Sequence, residues 1–352
     1  ELTNALRAFR DQDPGGIGKE NVIPFGLPSL AGGQASFFYG PMYAFGVNND
    51  GVGPTGIYMP SGNIINGEFV SGFATEYGKN FFRWMNQMYH EGILPREFAT
   101  DVNSQNLNQD LANGHVGFID ANNPAYANNV THRKTAPEVT WAQVHPLLRP
   151  DGTRVFGKNW DFGMFIFIPK TTSDEVAAAA IKYLNWMASE EGVRVVNWGI
   201  EGVHYKWENG VRTIIDQEKN NLELWPLAAA DMSIIQQGIR NPSDREEFKK
   251  WYSTNPDLDT PEKLEEYTNL YFEFLEMVEK YGKAAPLLYE ERPLDQQIGS
   301  TIGTYLQEAV SKVIIAQDFE AEYNNLIKGW EQLGGRDWDK EVTETLKKQG
   351  LL

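Results

Sequence analysis

Asn197-Trp198-Gly199-Ile200-Glu201-Gly202-Val203-His204-Tyr205 ends a helical run and turns the chain twice within a few residues. The residues before it, Asp174 to Trp198, are predicted as one helix. Ser173 is its N-cap, and Asp174 and Glu175 place negative charge in the first turn, where the helix dipole favours it. Val176, Ala180, Tyr183, Leu184, Met187, Val193 and Val196 recur mostly at three- and four-residue spacings, which makes an amphipathic stripe. Gly199 accepts the left-handed conformation that stops a helix, and Gly202 allows a second turn. The product is a rigid helix followed by a tight, aromatic-rich turn that carries the carboxylate of Glu201. Such a turn can meet a ligand at a sheet edge. Equally, Trp198 and Tyr205 can be core residues behind a helix stop.

The chain around this stretch has 352 residues, long for one core, so two lobes are expected. Hydrophobic content of 41% is that of a globular protein. A formal net charge of −17 argues against nucleic acid and anionic membrane as partners, because both require basic patches. A local site can still oppose the global sign, so an anionic ligand stays open. The absence of cysteine removes disulfides, thiol nucleophiles and thiolate metal sites, and leaves the compartment undecided. No run approaches the ~18 apolar residues that span a bilayer. A helix is expected from residue 1, with Leu2, Ala5, Leu6 and Phe9 on one face, and its start without a cap or Met leads us to expect sequence upstream. Aromatic residues make up 12%, including 10 Trp and 15 Tyr, a supply of rings that suits stacking on sugars as well as a large core.

The remaining segments read as follows. Asp11 to Pro24 is a turn. It resembles a calcium loop of alternating oxygen ligands, but with Asp13 as the first ligand the third and fifth positions are Gly15 and Ile17. No cofactor is expected; a calcium ion on Asp13, the Lys19 carbonyl and Asn21 is the alternative to a bare turn. Phe25 to Asn66 is rich in Gly, Pro and aromatics, with a polar turn at Asn49-Asp50-Gly51, and its rings either line a cleft or pack between short elements. Thr75 to Glu91 is an amphipathic helix stopped by Gly92. Pro95 to Asn113 continues as helix, His115 to Asp120 as a short buried strand, and Asn122, Asn123 and Tyr126 lie on the loop beyond it. A further helix ends near Lys134. Trp141–His145 and Phe162–Ile168 are predicted strands, the second buried on both faces. Trp207 to Val211 is a hairpin with an Asn-Gly turn. Beyond Asn221 helices are predicted over Arg245–Tyr252, Pro261–Tyr281, Gln296–Ala316 and Phe319–Gly334, with Thr260-Pro261 a good helix start.

No catalytic constellation emerges. The five histidines are scattered, no His-Glu-x-x-His pair exists, and nucleophile-elbow, Walker and dinucleotide patterns are absent. With 48 acidic residues, carboxylate pairs of the glycosidase type cannot be singled out by sequence.

Several segments together resemble one family. Leu2-Thr3-Asn4-Ala5-Leu6-Arg7-Ala8-Phe9 with the Asp-Pro-Gly-Gly turn and Ile23-Pro24, Ala74-Thr75-Glu76-Tyr77 through Met88-Tyr89-His90-Glu91-Gly92-Ile93-Leu94, and Asn113-Gly114-His115-Val116-Gly117-Phe118 look like parts of bacterial extracellular solute-binding proteins of ABC importers. The 197–205 stretch is close to the Gly-Ile-Glu-Gly-x-x-Tyr pattern of their large lipoprotein branch, which takes up oligosaccharides, acidic ones included. The resemblance covers nearly the whole chain.

It implies an α/β, helix-rich, periplasmic-binding-protein-like two-lobe fold (type II), closing on its ligand by a hinge. Residues 1–158 and 216–352 would form the larger lobe, and 159–215 would cross to the other lobe. Members carry a further lobe-forming segment ahead of the position of Glu1, with a signal peptide and lipidated Cys, so one lobe is expected to be incomplete here. The implied function is capture of an oligosaccharide for import, without chemistry, by a monomer at the outer surface that delivers to ABC permease subunits and binds no nucleic acid. Trp160 and Asp161 at the crossing are the first candidates for ligand contact, then Trp198 and Glu201, then Tyr43, Asn122 and Trp225. A polysaccharide-active enzyme and a sensory carbohydrate-binding module are the alternatives.

Overall fold

The structure, a computed structural model, describes residues 1–29, 39–47, 62–120, 125–158, 166–224, 235–236, 242–284 and 286–352. In chain order the elements begin with α1 (Leu2–Gln12), β1 (Ile23–Phe25), α2 (Tyr39–Ala44), β2 (Asn63–Ile65), β3 (Glu68–Val70) and α3 (Glu76–His90). α4 (Gln105–Ala112), β4 (Val116–Phe118), α5 (Ala125–His132) and β5 (Phe156–Lys158) follow. Next come α6 (Asp174–Met187), α7 (Glu190–Trp198), β6 (Tyr205–Glu208), β7 (Val211–Ile214), α8 (Gln217–Glu223) and α9 (Arg245–Tyr252). The chain closes with α10 (Pro261–Tyr281), β8 (Gly282–Ala284), α11 (Pro293–Ile315), α12 (Phe319–Gln332) and α13 (Gly335–Lys348). β1 pairs with β4 and β5 with β8 in parallel, while β2–β3 and β6–β7 are antiparallel hairpins.

Two units result: Glu1–Lys158 with Glu276–Leu352, and Asn159–Leu275. The expected return to the first lobe at residue 216 therefore differs from the structure, in which 216–275 cluster with 159–215. The local reason is hydrogen bonding and ring packing. Arg212 donates its backbone N–H to the Thr254 carbonyl at 3.3 Å, and Trp251 lies 5.0 Å from Trp198.

The first unit is built on α3. Thr75 caps it, its hydroxyl accepting from Gly78 N–H at 3.1 Å and donating to the Gly72 carbonyl at 2.6 Å. Phe81, Phe82, Met85 and Met88 face inward at 0% exposure and pack with Leu306, Val310 and Val313 of α11 and Leu326 and Trp330 of α12. Asn86 fastens the pair by donating to the Val313, Ile314 and Ala316 carbonyls at 3.3, 3.0 and 2.8 Å, which satisfies orphan acceptors at the end of α11. Replacing Thr75 by Ala removes a buried cap and is expected to cost about 1 kcal/mol, up to about 2. A shift in urea midpoint of the first unit's transition checks this, with Thr75→Ser largely restoring stability.

Four predicted elements differ from the structure. The helix expected across 174–198 is broken at Ala188. Ser189 starts α7 afresh, accepting from Gly192 N–H at 3.1 Å and donating to the Trp186 carbonyl at 2.6 Å. A Cβ on Gly192 would lie 2.1 Å from that carbonyl, so the corner requires glycine. The helix expected over 95–113 shortens to α4, because Asp101 takes the Asn106 and Leu107 N–H groups at 3.0 Å each and fixes the start there. Trp141–His145 is not a strand. The Asn129 amide instead brackets the Trp141 backbone, accepting its N–H at 2.6 Å and donating to its carbonyl at 3.1 Å, which takes the place of a neighbouring strand. Of 162–168, only 166–168 are described; they form no ladder, and Ile166 and Phe167 are 44% and 80% exposed where two-sided burial was expected.

Candidate functional site

In the second unit the hairpin β6–β7 organises the aromatic residues. Asn209 (φ 55°) and Gly210 (φ 82°) are both left-handed, the two-residue turn that matches strand twist. The register pairs Tyr205 with Ile214 and Trp207 with Arg212, so these four side chains share one face. That face packs on Trp198, the last residue of α7. Tyr205 and Trp207 meet its ring edge-on at 6.2 Å each, Trp251 lies tilted at 5.0 Å, and the guanidinium of Arg212 stands 4.9 Å from its centroid. Trp198 is enclosed at 9% exposure, whereas Trp207 is 41% exposed.

The turn between α7 and β6 is fixed by His204. Its Nδ1 faces the Ile200 N–H at 2.9 Å and so must accept, which leaves Nε2–H to donate to Glu223 at 2.8 Å. A Cβ on Gly199 would come within 2.5 Å of the imidazole, so glycine is needed here for close approach as well as for its φ of 80°. Glu201 is exposed on this turn.

In the first unit Tyr43 is 4% exposed on α2, with its ring 6.4 Å from Tyr39. A carboxyl and a guanidinium hold the two ends of this short helix. Asp120, just past β4, accepts the Gly40 N–H at 2.5 Å, and Arg149 donates to the Tyr43 and Val47 carbonyls at 2.8 and 3.0 Å. Burial lifts the Asp120 carboxyl to about 7, against the opposing pull of the Gly40 N–H. The position, beyond the carboxyl end of a parallel strand, is where open α/β sheets meet ligands. Sequence reading had Asp120 only as a strand end, although its distance past the strand was legible. It missed Trp207 and Arg212 as well; their place across the Asn-Gly turn puts them on one face once the register is counted.

Trp160, Asp161, Asn122 and Trp225 lie outside the described residues. The Asp13 loop is closed by its own hydrogen bonds. The two carboxylate oxygens of Asp13 accept the Ile17 and Gly18 N–H groups at 3.0 and 2.8 Å, and Asn21 turns its NH2 to the Ile17 carbonyl at 2.8 Å. The Lys19 carbonyl accepts from Val22 N–H. Among the described residues no group of three or more His, Asp or Glu side chains could hold a metal ion.

Solved structures share this fold. Alginate-binding protein AlgQ2, crystallised without calcium ion, superposes with a TM-score of 0.60 at 18% identity, over 98% of this chain and 67% of that one. An HMO-binding, ABC-transporter-associated solute-binding protein from Bifidobacterium longum infantis gives 0.56 at 17%, over 98% and 68%. The S. pneumoniae ABC-transporter substrate-binding protein FusA, in complex with kestose, gives 0.54 at 16%, over 99% and 67%. The fold is thus that of a substrate-binding protein. The profile described as bacterial extracellular solute-binding protein matches residues 4–196, and the chain belongs to that family. Two Bacillus subtilis proteins are each 23% identical: lipoprotein LipO, over 98% of this chain, and the polygalacturonan/rhamnogalacturonan-binding protein YtcQ, over 99%. The chain spans 64% and 63% of their respective lengths. No helix among the described residues is long and apolar enough to cross a membrane.

Proposed function

We propose that this chain is the substrate-capturing part of a bacterial ABC importer, binding an oligosaccharide outside the cytoplasm and releasing it unaltered to permease subunits. One observation carries the reading: along 98–99% of its length the chain aligns with proteins whose names specify a saccharide, namely alginate, kestose and polygalacturonan. The family is one of binding proteins. Anchoring to the membrane through a lipid, as in the LipO type of relative, and a monomeric state belong to the same proposal.

The residues support it in different ways. Trp207 offers an open indole face, and Asp120 a carboxyl for sugar hydroxyls. Trp198 and Tyr43, enclosed at 9% and 4% exposure, brace these neighbours, and Glu201 stands exposed on its turn. Trp160, Asp161, Asn122 and Trp225 are proposed as further ligand contacts. A thermal-shift screen of the chain with oligosaccharides tests the proposal. A selective ligand at about 100 times its Kd is expected to stabilise by about 2.7 kcal/mol, and chromatography is expected to return it uncleaved. Release of shorter products would identify an enzyme instead, and a flat screen across neutral and acidic sugars would remove carbohydrate as the substrate class.

A further inference from the structure

The guanidinium of Arg212 stands over the Trp198 ring. Its Nε is buried with no hydrogen-bond partner, and among the described residues no carboxylate lies within ion-pair distance of it. Arginines in comparable settings are compensated. Arg292, whose Nε and Nη2 are likewise buried without a hydrogen-bond partner, also stands over a tryptophan, Trp338 at 5.1 Å, but has the Asp295 carboxylate at 2.7 Å. Arg7 grips Glu91 through two bonds of 2.7 and 2.6 Å, and buried Arg149 donates to main-chain carbonyls. Arg212 has the face of Trp198 at 4.9 Å and the more distant influence of Tyr205 and Asp257. A half-buried cation without a counter-ion is unfavourable, and a ring face offsets only part of that cost. In a chain with a net charge of −17, supply of carboxylates is not the limitation. Opposite Arg212 in the register stands Trp207, 41% exposed, so an open indole and an uncompensated guanidinium are cross-strand neighbours.

We propose that Arg212 is the subsite for the carboxylate of an acidic sugar, whose ring lies against Trp207. The inference rests on the carbohydrate-binding reading and adds the charge of the ligand to it. The carboxylate accepts from the Nη atoms and supplies the missing counter-ion, while the apolar face of the pyranose covers the indole. A neutral sugar can meet Trp207 but leaves the guanidinium as it is. Selectivity for the acid then comes from this one residue, against the repulsion of the chain as a whole.

The test is calorimetry on the full chain with trigalacturonate and with its methyl ester, which keeps the rings and masks the charge. The acid is expected to bind at least about tenfold more tightly than the ester, the size of one charge-assisted bond. Raising the salt should weaken only the acid. Arg212→Met is expected to abolish the difference between the two ligands, and Trp207→Ala to weaken both. Arg212→Lys keeps the charge and the ring contact but loses the planar fork, and should show an intermediate preference; it carries the test if the Met variant does not fold. Equal binding of acid and ester, or an acid preference that survives in folded Arg212→Met or is unchanged in Arg212→Lys, overturns the subsite. If neutral oligosaccharides bind and trigalacturonate does not, this inference alone fails. If no saccharide binds, the carbohydrate reading falls with it.

Discussion

Trp330→Ala is expected to lower the stability of the first unit by about 3–5 kcal/mol, the range for deleting a fully enclosed aromatic ring. Trp330 is 0% exposed and meets Phe73 edge-on at 5.3 Å. Arg336 covers its ring at 4.8 Å, and Gly335 lies so close that a Cβ there would fall 2.0 Å from the indole Nε1. With walls on all sides drawn from different elements, the site has little freedom to collapse, so the cavity term adds to the lost transfer energy. Hydrogen exchange of the α3 and α11 amides measures it, since their slowest protons report opening of the whole unit. Trp330→Phe should recover more than half the loss. A change below about 1 kcal/mol for the alanine variant would show that the ring is not enclosed as described.

The second large effect depends on pH. Asp339 on α13 holds β3: Ser71 donates to it from both its N–H, at 3.1 Å, and its hydroxyl, at 2.6 Å. Burial outweighs these bonds and raises the carboxyl from 3.8 to about 6. The folded state therefore binds a proton that the unfolded chain releases at lower pH. The stability this contributes is complete below about pH 4 and is lost as pH rises through about 6. The raised value corresponds to something on the order of 3 kcal/mol. Asp339→Asn can keep both contacts, accepting the N–H on its oxygen and donating to the hydroxyl, without the titration. Its stability relative to the parent is expected to rise by that amount between pH 4 and pH 7. Carboxylates held low by cations, such as Glu91 beside Arg7, cancel in the comparison. A difference independent of pH would mean that Asp339 is not desolvated.

Much of this architecture was legible from local chemistry. Residues 245–252 and 261–281 read as the helices they are, since cap, dipole and spacing agree there. The Asn209-Gly210 turn fixed its hairpin in the same way. The break at Ala188 was also written in the chain, because Ser189-Glu190-Glu191 repeats the start pattern of Ser173-Asp174-Glu175. A continuous apolar stripe concealed it. Trp141–His145 failed for a different reason: a side-chain amide replaced a strand, and only the fold brings Asn129 to Trp141. The limit of the segment after residue 215 was non-local too, set by a hairpin strand and a helix that meet through Thr254 and Trp251.

The candidate site was less legible because it depends on exposure. Trp198 and Trp207 are alike in sequence; register and packing make one a support and the other an open face. Arg212 became visible only through what it lacks.

The heart of the first unit joins Phe81, Phe82 and Met85 to Val310, Val313 and Trp330, with the whole second unit encoded between them. A ribosome adding about 5–20 residues per second leaves the apolar face of α3 waiting on the order of 10–40 s for the helices that cover it. Throughout that interval premature closure of the first unit is prevented by the order of translation itself.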